Sequence, residues 1–207
     1  MTKNNSPLLQ QKRAVMVSRI LDTARAIMRE EGVAALSIQE LARRMNIRAP
    51  SLYNYFASKS EIYDALFQFG QHQFETQISG YLIDGDWRMQ LSGMMKSYLD
   101  FALENPELYQ LCFERPVPGF VPSQESLQLS FGILERLYAQ VKTWLPSLNT
   151  PLNERELGDF LIAFNHGITA LHLANQPDVP VDESRFASLI PAFLTLIDQA
   201  WANKITT

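Results

Sequence analysis

The chain has 207 residues, 46% of them hydrophobic, and a single cysteine, Cys112, so it can bury one sizeable core or two small ones and cannot form an internal disulfide. Its net charge of −4 is unevenly spread: residues 1–60 hold ten Lys and Arg against four acids, about +6, and the remaining residues sum to about −10. No apolar run reaches the length of a membrane span, and residues 1–13, with Lys3, Lys12 and Arg13, lack the core of a signal peptide, so a reducing compartment is expected.

In chain order, the first helix is predicted from Ala14 to about Glu31, with Ile20, Ala24, Ile27 and Met28 on one face and Gly32 as its stop. Ser37 with Glu40 then reads as a capping box, in which hydroxyl and carboxylate each satisfy a backbone donor at a helix start. That helix buries Ile38, Leu41, Ala42 and Met45 at i, i+3, i+4 and i+7. Asn46 falls where the chain needs a residue tolerant of the left-handed conformation. Pro50 suits the first position of a second short helix, with Leu52 and Phe56 inward. Its outer face carries Ser51, Tyr53, Asn54 and Tyr55, all polar or stacking side chains without a carboxylate, which a phosphate backbone tolerates. Ser58 and Glu61 form another capping box, with Lys59 in the first turn of a long helix running through Ile62, Leu66, Phe69 and Phe74 towards Gly80.

After a break at Asp84-Gly85-Asp86, a helix from Trp87 to about Asn105 buries Leu91, Met94, Met95, Tyr98 and Phe101. Pro106 begins a short helix through Phe113, and in the stretch 115–122 three prolines and a glycine leave no regular element, either a lid or a surface connection. Further helices are predicted at Ser123–Trp144, Asn153–Ala174 and Glu183–Lys204. The first of the last two has an apolar stripe of Leu157, Leu161, Phe164, Ile168 and Leu171 beside a small-residue stripe of Ala163, Gly167, Ala170 and Ala174. The final helix is apolar over more than half its circumference, so it needs either a central place in its domain or a second subunit. The fold class is all-α. Tyr98, Phe101, Phe113, Phe131, Tyr138, Trp144 and Phe164, with Met94, Met95 and His166, are the residues expected to face a small-molecule cavity, one that favours a neutral or cationic ligand.

Enzymatic signatures are missing from the sequence. His72, His166 and His172 lack the i, i+4 spacing of a helical metal site, and there is neither a cysteine cluster nor a glycine-rich phosphate loop. Glu154, Glu156 and Asp159 read as a solvated first helical turn. No metal or cofactor is expected.

The stretch from Ala14 to Phe74 resembles the DNA-binding domain of the TetR family of one-component transcription regulators. The resemblance is carried by Thr23-Ala24, Gly32, Leu36-Ser37, Leu41-Ala42, the run Ser51-Leu52-Tyr53-Asn54-Tyr55-Phe56, and Lys59. Asn46 stands where the family most often has Gly, and Tyr55 where it most often has His. The resemblance implies a reading domain at residues 14–74 with a helix-turn-helix at 37–56, and a helical ligand-binding and dimerisation domain at 75–207. It implies a recognition helix from Pro50 to Tyr55 in the major groove, with Ser51, Tyr53 and Asn54 nearest base edges or adjoining phosphates, and Arg48 reaching a guanine. Ser37, Arg43, Arg44, Tyr55 and Lys59 would hold the phosphate backbone.

The implied partners are a palindromic operator, a second copy of the chain and an unidentified small-molecule inducer, in the cytoplasm of a bacterium, with no membrane association. The last two helices, through Leu157, Leu161, Ile168, Phe193, Ile197 and Trp201, would form the homodimer interface. The segment Phe101–Phe113, with Phe164-Asn165-His166-Gly167, is similar to the branch of the family with a Trp-His-Gly signature, although the Trp is absent. Most consistent with this is a repressor released from its operator by ligand. An activator or architectural protein with the same head, or a helical module that does not bind DNA, are the alternatives.

Overall fold

The computed structural model describes residues 7–82 and 85–201. Among these residues the chain forms nine α-helices and no strand. They are α1 (Pro7–Glu31), α2 (Ile38–Arg44), α3 (Ala49–Leu52), α4 (Lys59–Ser79), α5 (Trp87–Glu104), α6 (Pro106–Tyr109), α7 (Gln124–Trp144), α8 (Glu154–Asn175) and α9 (Leu189–Trp201). Short 3-10 turns at Val33–Ala35, Leu145–Ser147 and Val181–Glu183 and a wider π-helical turn at Gln110–Glu114 complete the course. None of the described helices is long and apolar enough to cross a membrane.

Two compact units divide the chain, one from residue 1 to 70 together with 107–126, the other comprising 71–106 and 127–207. The first is built on the apolar face of α1, where Ile20, Ala24, Ile27 and Met28 are buried as their spacing predicts. Leu41 and Ala42 of α2, Leu52 of α3 and Ile62, Tyr63 and Leu66 of α4 add to its core, as do Leu108, Tyr109 and Leu111 around α6. Gly32 ends α1 at φ +95°, a conformation without penalty only for glycine. Glu107, its side chain closed to solvent, receives Nε of Arg25 and Nε of Arg29, each at 2.9 Å. The proline-rich stretch is anchored in this unit as well: the Phe120 ring packs 5.4 Å from that of Tyr63, and the Asp64 carboxylate accepts the Ser123 N–H and the Ser126 hydroxyl.

The second unit has a core of Trp87, Leu91, Met95 and Leu99 from α5, Val141 and Trp144 from α7, Leu157, Leu161 and Ile168 from α8, and Ile190, Phe193 and Ile197 from α9. Two polar clusters are buried in this unit. The Gln90 carbonyl oxygen accepts the Trp144 indole N–H at 2.6 Å and the Gln140 amide at 2.9 Å. His172 shares a 2.6 Å hydrogen bond with Ser184, and burial holds its imidazole below the usual histidine range. α8 opens with a complete capping box between Asn153 and Glu156.

Several boundaries differ from the sequence expectation. α1 is already helical at Pro7, the first described residue, rather than from Ala14, because nothing between them breaks a helix. α9 starts at Leu189 rather than Glu183, because the Ser184 hydroxyl accepts the Phe186 and Ala187 N–H groups and closes a turn there first. Asp84, expected in a break, and Lys204, the expected helix end, lie outside the described residues.

Candidate nucleic-acid interface

Ser37 caps α2, its hydroxyl accepting the Glu40 N–H at 3.1 Å. The Glu40 carboxylate, expected to complete the box, turns instead to Arg43 and Arg44. α2 ends in a full Schellman motif: Asn46 is left-handed at φ +54°, its N–H reaches the Arg43 carbonyl, and the Ile47 N–H reaches that of Ala42. This turn swings the chain into α3. Arg48 is the N-cap, which moves Pro50 to the second helical position.

α3 is one turn long, shorter than the expected Pro50–Tyr55, because it tightens after Leu52. The Asn54 N–H reaches the Ser51 carbonyl at 3.3 Å, and the Tyr55 and Phe56 N–H groups both reach that of Leu52. Residues 53–55 thus continue as a wound turn rather than as regular helix. Only Leu52 is fully buried here, while Phe56 is half-buried. Tyr53 is 53% exposed, and Arg48, Pro50, Asn54 and Lys59 are exposed with it. Ser37, Ser51 and Tyr55 are half-buried.

The basic residues divide into two kinds. Arg44 is enclosed by three acids, its Nε on Glu40 at 2.7 Å and its two terminal nitrogens on Glu30 at 2.7 Å and Glu31 at 2.5 Å. It ties the end of α1 to α2, and its expected phosphate contact competes with that network. Arg43 forks onto Glu40 through two bonds of 2.7 Å while keeping its side chain largely exposed. These bonds, from Arg43 first and then Arg44, hold the Glu40 carboxyl down at about 2, and the same carboxylate raises both guanidinium groups. Arg48 has no ion pair among the described residues, and the Lys59 ammonium lies over the Tyr63 ring at 5.7 Å.

Sequence reading missed Arg13. Its guanidinium donates to the carbonyls of Asn54 at 2.8 Å and Tyr55 at 3.3 Å and lies over the Tyr55 ring at 5.3 Å. The contact joins residues 41 positions apart, and a first helix placed at Ala14 had left Arg13 outside the fold. No local pattern could have shown it.

The residues expected to line a cavity separate in the structure. Tyr98 and His166 share a 3.0 Å hydrogen bond, and Phe74 packs against Tyr98 and Phe101, near which Met94 is buried on the same helix. Tyr138 instead packs on Gly158 and donates to Asp159 at 2.6 Å, and Trp144 is a core residue on Gln90. Phe131 is 58% exposed, since it falls on the outer face of α7. Phe113 belongs to the first unit, against Tyr109. Phe164 stacks on Phe193 at 3.7 Å and so belongs with α9.

The expected dimer residues also divide by where they pack. Leu157, Leu161, Ile168, Phe193 and Ile197 are buried within the unit's own core, and Trp201 is half-buried against Phe160. Apolar residues facing outward from α8 and α9 are Phe160, Ile162, Leu171, Leu189 and Leu196. Ala163 and Ala174 are exposed with them, and a side chain built at Gly167 would meet open space.

A capped helix, a Schellman turn and a short second helix with a carboxylate-free outer face define a helix-turn-helix protein with a helical body. Residues 20–66 match the family described as bacterial regulatory proteins, tetR family, and residues 91–193 match the tetracyclin repressor-like C-terminal domain. The chain belongs to the tetR family. It is similar to the uncharacterized HTH-type transcriptional regulator YobS of Bacillus subtilis, 32% identical over 91 residues, 44% of this chain and 48% of that one. It is also similar to the HTH-type transcriptional repressor DrrR1 of Streptomyces coeruleorubidus, 30% identical over 108 residues, 52% of this chain and 39% of that one. The chain thus spans about half the length of the first of these relatives and less of the second. Its fold is that of AibR, solved in complex with isovaleryl coenzyme A and operator DNA: the TM-score is 0.69 at 14% identity, covering 87% of this chain and 97% of AibR.

Proposed function

We propose that this protein is a homodimeric transcriptional repressor that binds a palindromic DNA operator and is released from it by a small molecule. The reading domain is residues 14–74 with its motif at 37–56, and the ligand-binding and dimerisation domain is residues 75–207, which lends 107–126 to the first compact unit. The observation that carries this reading is the exposed face of Pro50, Tyr53 and Asn54, flanked by Arg48 and Lys59 and free of carboxylates. Tyr53 and Asn54 would meet base edges, with half-buried Ser51 beside them, while Arg48, Lys59, Ser37, Tyr55 and the exposed Arg43 would meet phosphate and Arg48 a guanine as well. Arg44 serves mainly as the clamp described above.

Support for the homodimer comes from the outward apolar and small residues of α8 and α9, which allow two copies to approach closely and give the two-fold symmetry a palindrome requires. Support for a ligand comes from the aromatic and polar set Phe74, Tyr98, Phe101 and His166 in the second unit. AibR was solved with both a coenzyme A thioester and operator DNA, and DrrR1 is named a repressor. The protein acts without catalysis, in the bacterial cytoplasm, and ligand works by favouring a dimer conformation that fits the operator less well.

Selection of bound fragments from a random duplex pool, followed by affinity for the winner, tests this. A palindrome with half-sites about one helical turn apart is expected, with binding that falls steeply with salt and is lost in Tyr53→Ala and Lys59→Ala. Binding indifferent to those two substitutions, or no selected sequence at all, overturns the reading.

A further inference from the structure

We infer that Arg13 is a positioning residue for operator reading, fastening the reading turn to α1 and so setting the direction in which Tyr53 and Asn54 point. The inference rests on the regulator reading above. α3 is a single turn, far below the length at which a helix holds itself in water, so its pose depends on tertiary anchors. One anchor is apolar, the buried Leu52. The other is Arg13. The Asn54 and Tyr55 carbonyls sit at the end of this turn, where the N–H ladder has run out: the Phe56 N–H has gone back to Leu52, and the Ala57 N–H goes to the Glu61 carboxylate. A planar guanidinium fork meets both carbonyls and covers the Tyr55 ring at once, a geometry that a lysine ammonium cannot reproduce.

The consequence is that Arg13, one residue ahead of the expected start of the fold, belongs to the reading device. Asn54 carries the backbone group that Arg13 holds and the side chain expected to meet a base. Loss of this bond therefore alters which bases are read, whereas loss of a phosphate contact weakens all sequences alike.

The test uses the full chain, with the duplex obtained by selection and a scrambled duplex of the same length, each titrated at several salt concentrations. Arg13→Ala is expected to lose about tenfold or more on the selected duplex and less than about twofold on the scrambled one, with the salt slope unchanged. Arg13→Lys, which keeps the charge without the fork, should not restore discrimination. The proposal is overturned if Arg13→Ala weakens both duplexes equally and lowers the slope by about one per protomer, which would make Arg13 a phosphate ligand. Rescue by Arg13→Lys, or no change in either variant, overturns it as well. Arg13 is exposed, so unchanged helicity and melting are expected, and Arg13→Lys answers the question if Arg13→Ala misfolds. A wild-type chain that selects no duplex instead sinks the regulator reading itself.

Discussion

Glu107 binds Arg25 through an oxygen 2.9 Å away and Arg29 through the other at the same distance, with its own side chain closed to solvent. Two helical turns of α1 are thereby joined to a carboxylate 82 residues further along the chain. Removing a buried partner leaves uncompensated charge, and because Arg29 is half exposed, water offsets part of that cost. Glu107→Ala should therefore lower stability by about 2–3 kcal/mol. Urea unfolding of the full chain measures it, and a loss below about 1 kcal/mol would mean the cluster is weaker than its geometry implies.

Acid should loosen the ion pairs that run along α2. The Glu40 carboxyl is held at about 2, below its ordinary 4.5, because Arg43 and Arg44 donate to the charged form. A lowered folded value means that the stabilisation is complete above the ordinary value and fades as pH falls from about 4.5 towards 2. Carboxyl-carbon NMR should find Glu40 titrating at about 2 rather than near its ordinary 4.5. Glu40→Gln should remove this part of the acid sensitivity; an ordinary titration of Glu40 would refute the assignment.

Gly158 is a steric requirement of the second unit. A Cβ built there comes 2.6 Å from the Tyr138 ring, so the ring must move and its 2.6 Å bond to Asp159 must change. Gly158→Ala should cost about 1–3 kcal/mol. The Tyr138 phenol, pushed up to about 12 by that bond and then by burial, should titrate closer to its ordinary 10.0 in the variant. Ultraviolet titration of the tyrosines distinguishes the two, and an unaltered Tyr138 would show that the helices part instead.

Two classes of leucine on α8 and α9 should separate in solution. Leu171→Glu and Leu196→Glu change outward-facing residues, so they should leave the protomer folded and shift the mass from dimer to monomer. Leu161→Ala removes core volume and should cost about 2–5 kcal/mol in unfolding. Sedimentation with thermal melting reads both. Glutamates at Leu171 and Leu196 that leave a dimer intact would refute this face as the interface.

What the sequence made legible was local. Gly32, the Ser37 cap and Asn46 act within one turn of chain, and each takes the conformation its chemistry predicts. The carboxylate-free face of residues 51–55 was legible for the same reason. What stayed hidden depended on distant partners. Arg44 reads as a free cation until Glu30 and Glu31 are brought beside it, and Arg13 has no significance until the reading turn reaches it. α8 and α9 are apolar on two sides, and periodicity does not say which side meets the protomer's own core. Leu161 and Ile168 proved inward and Leu171 outward only once packed.

The middle of the chain returns to the first unit through Glu107, Phe120, Ser123 and Ser126, which pair with Arg25, Tyr63 and Asp64. A single genetic crossover that grafted this head onto a relative's body would part all of these pairs at once, leaving Arg25 and Arg29 without their carboxylate and the Tyr63 ring without its cover. A working hybrid should therefore need both pieces of the head, residues up to about 70 and 107–126, from the same parent.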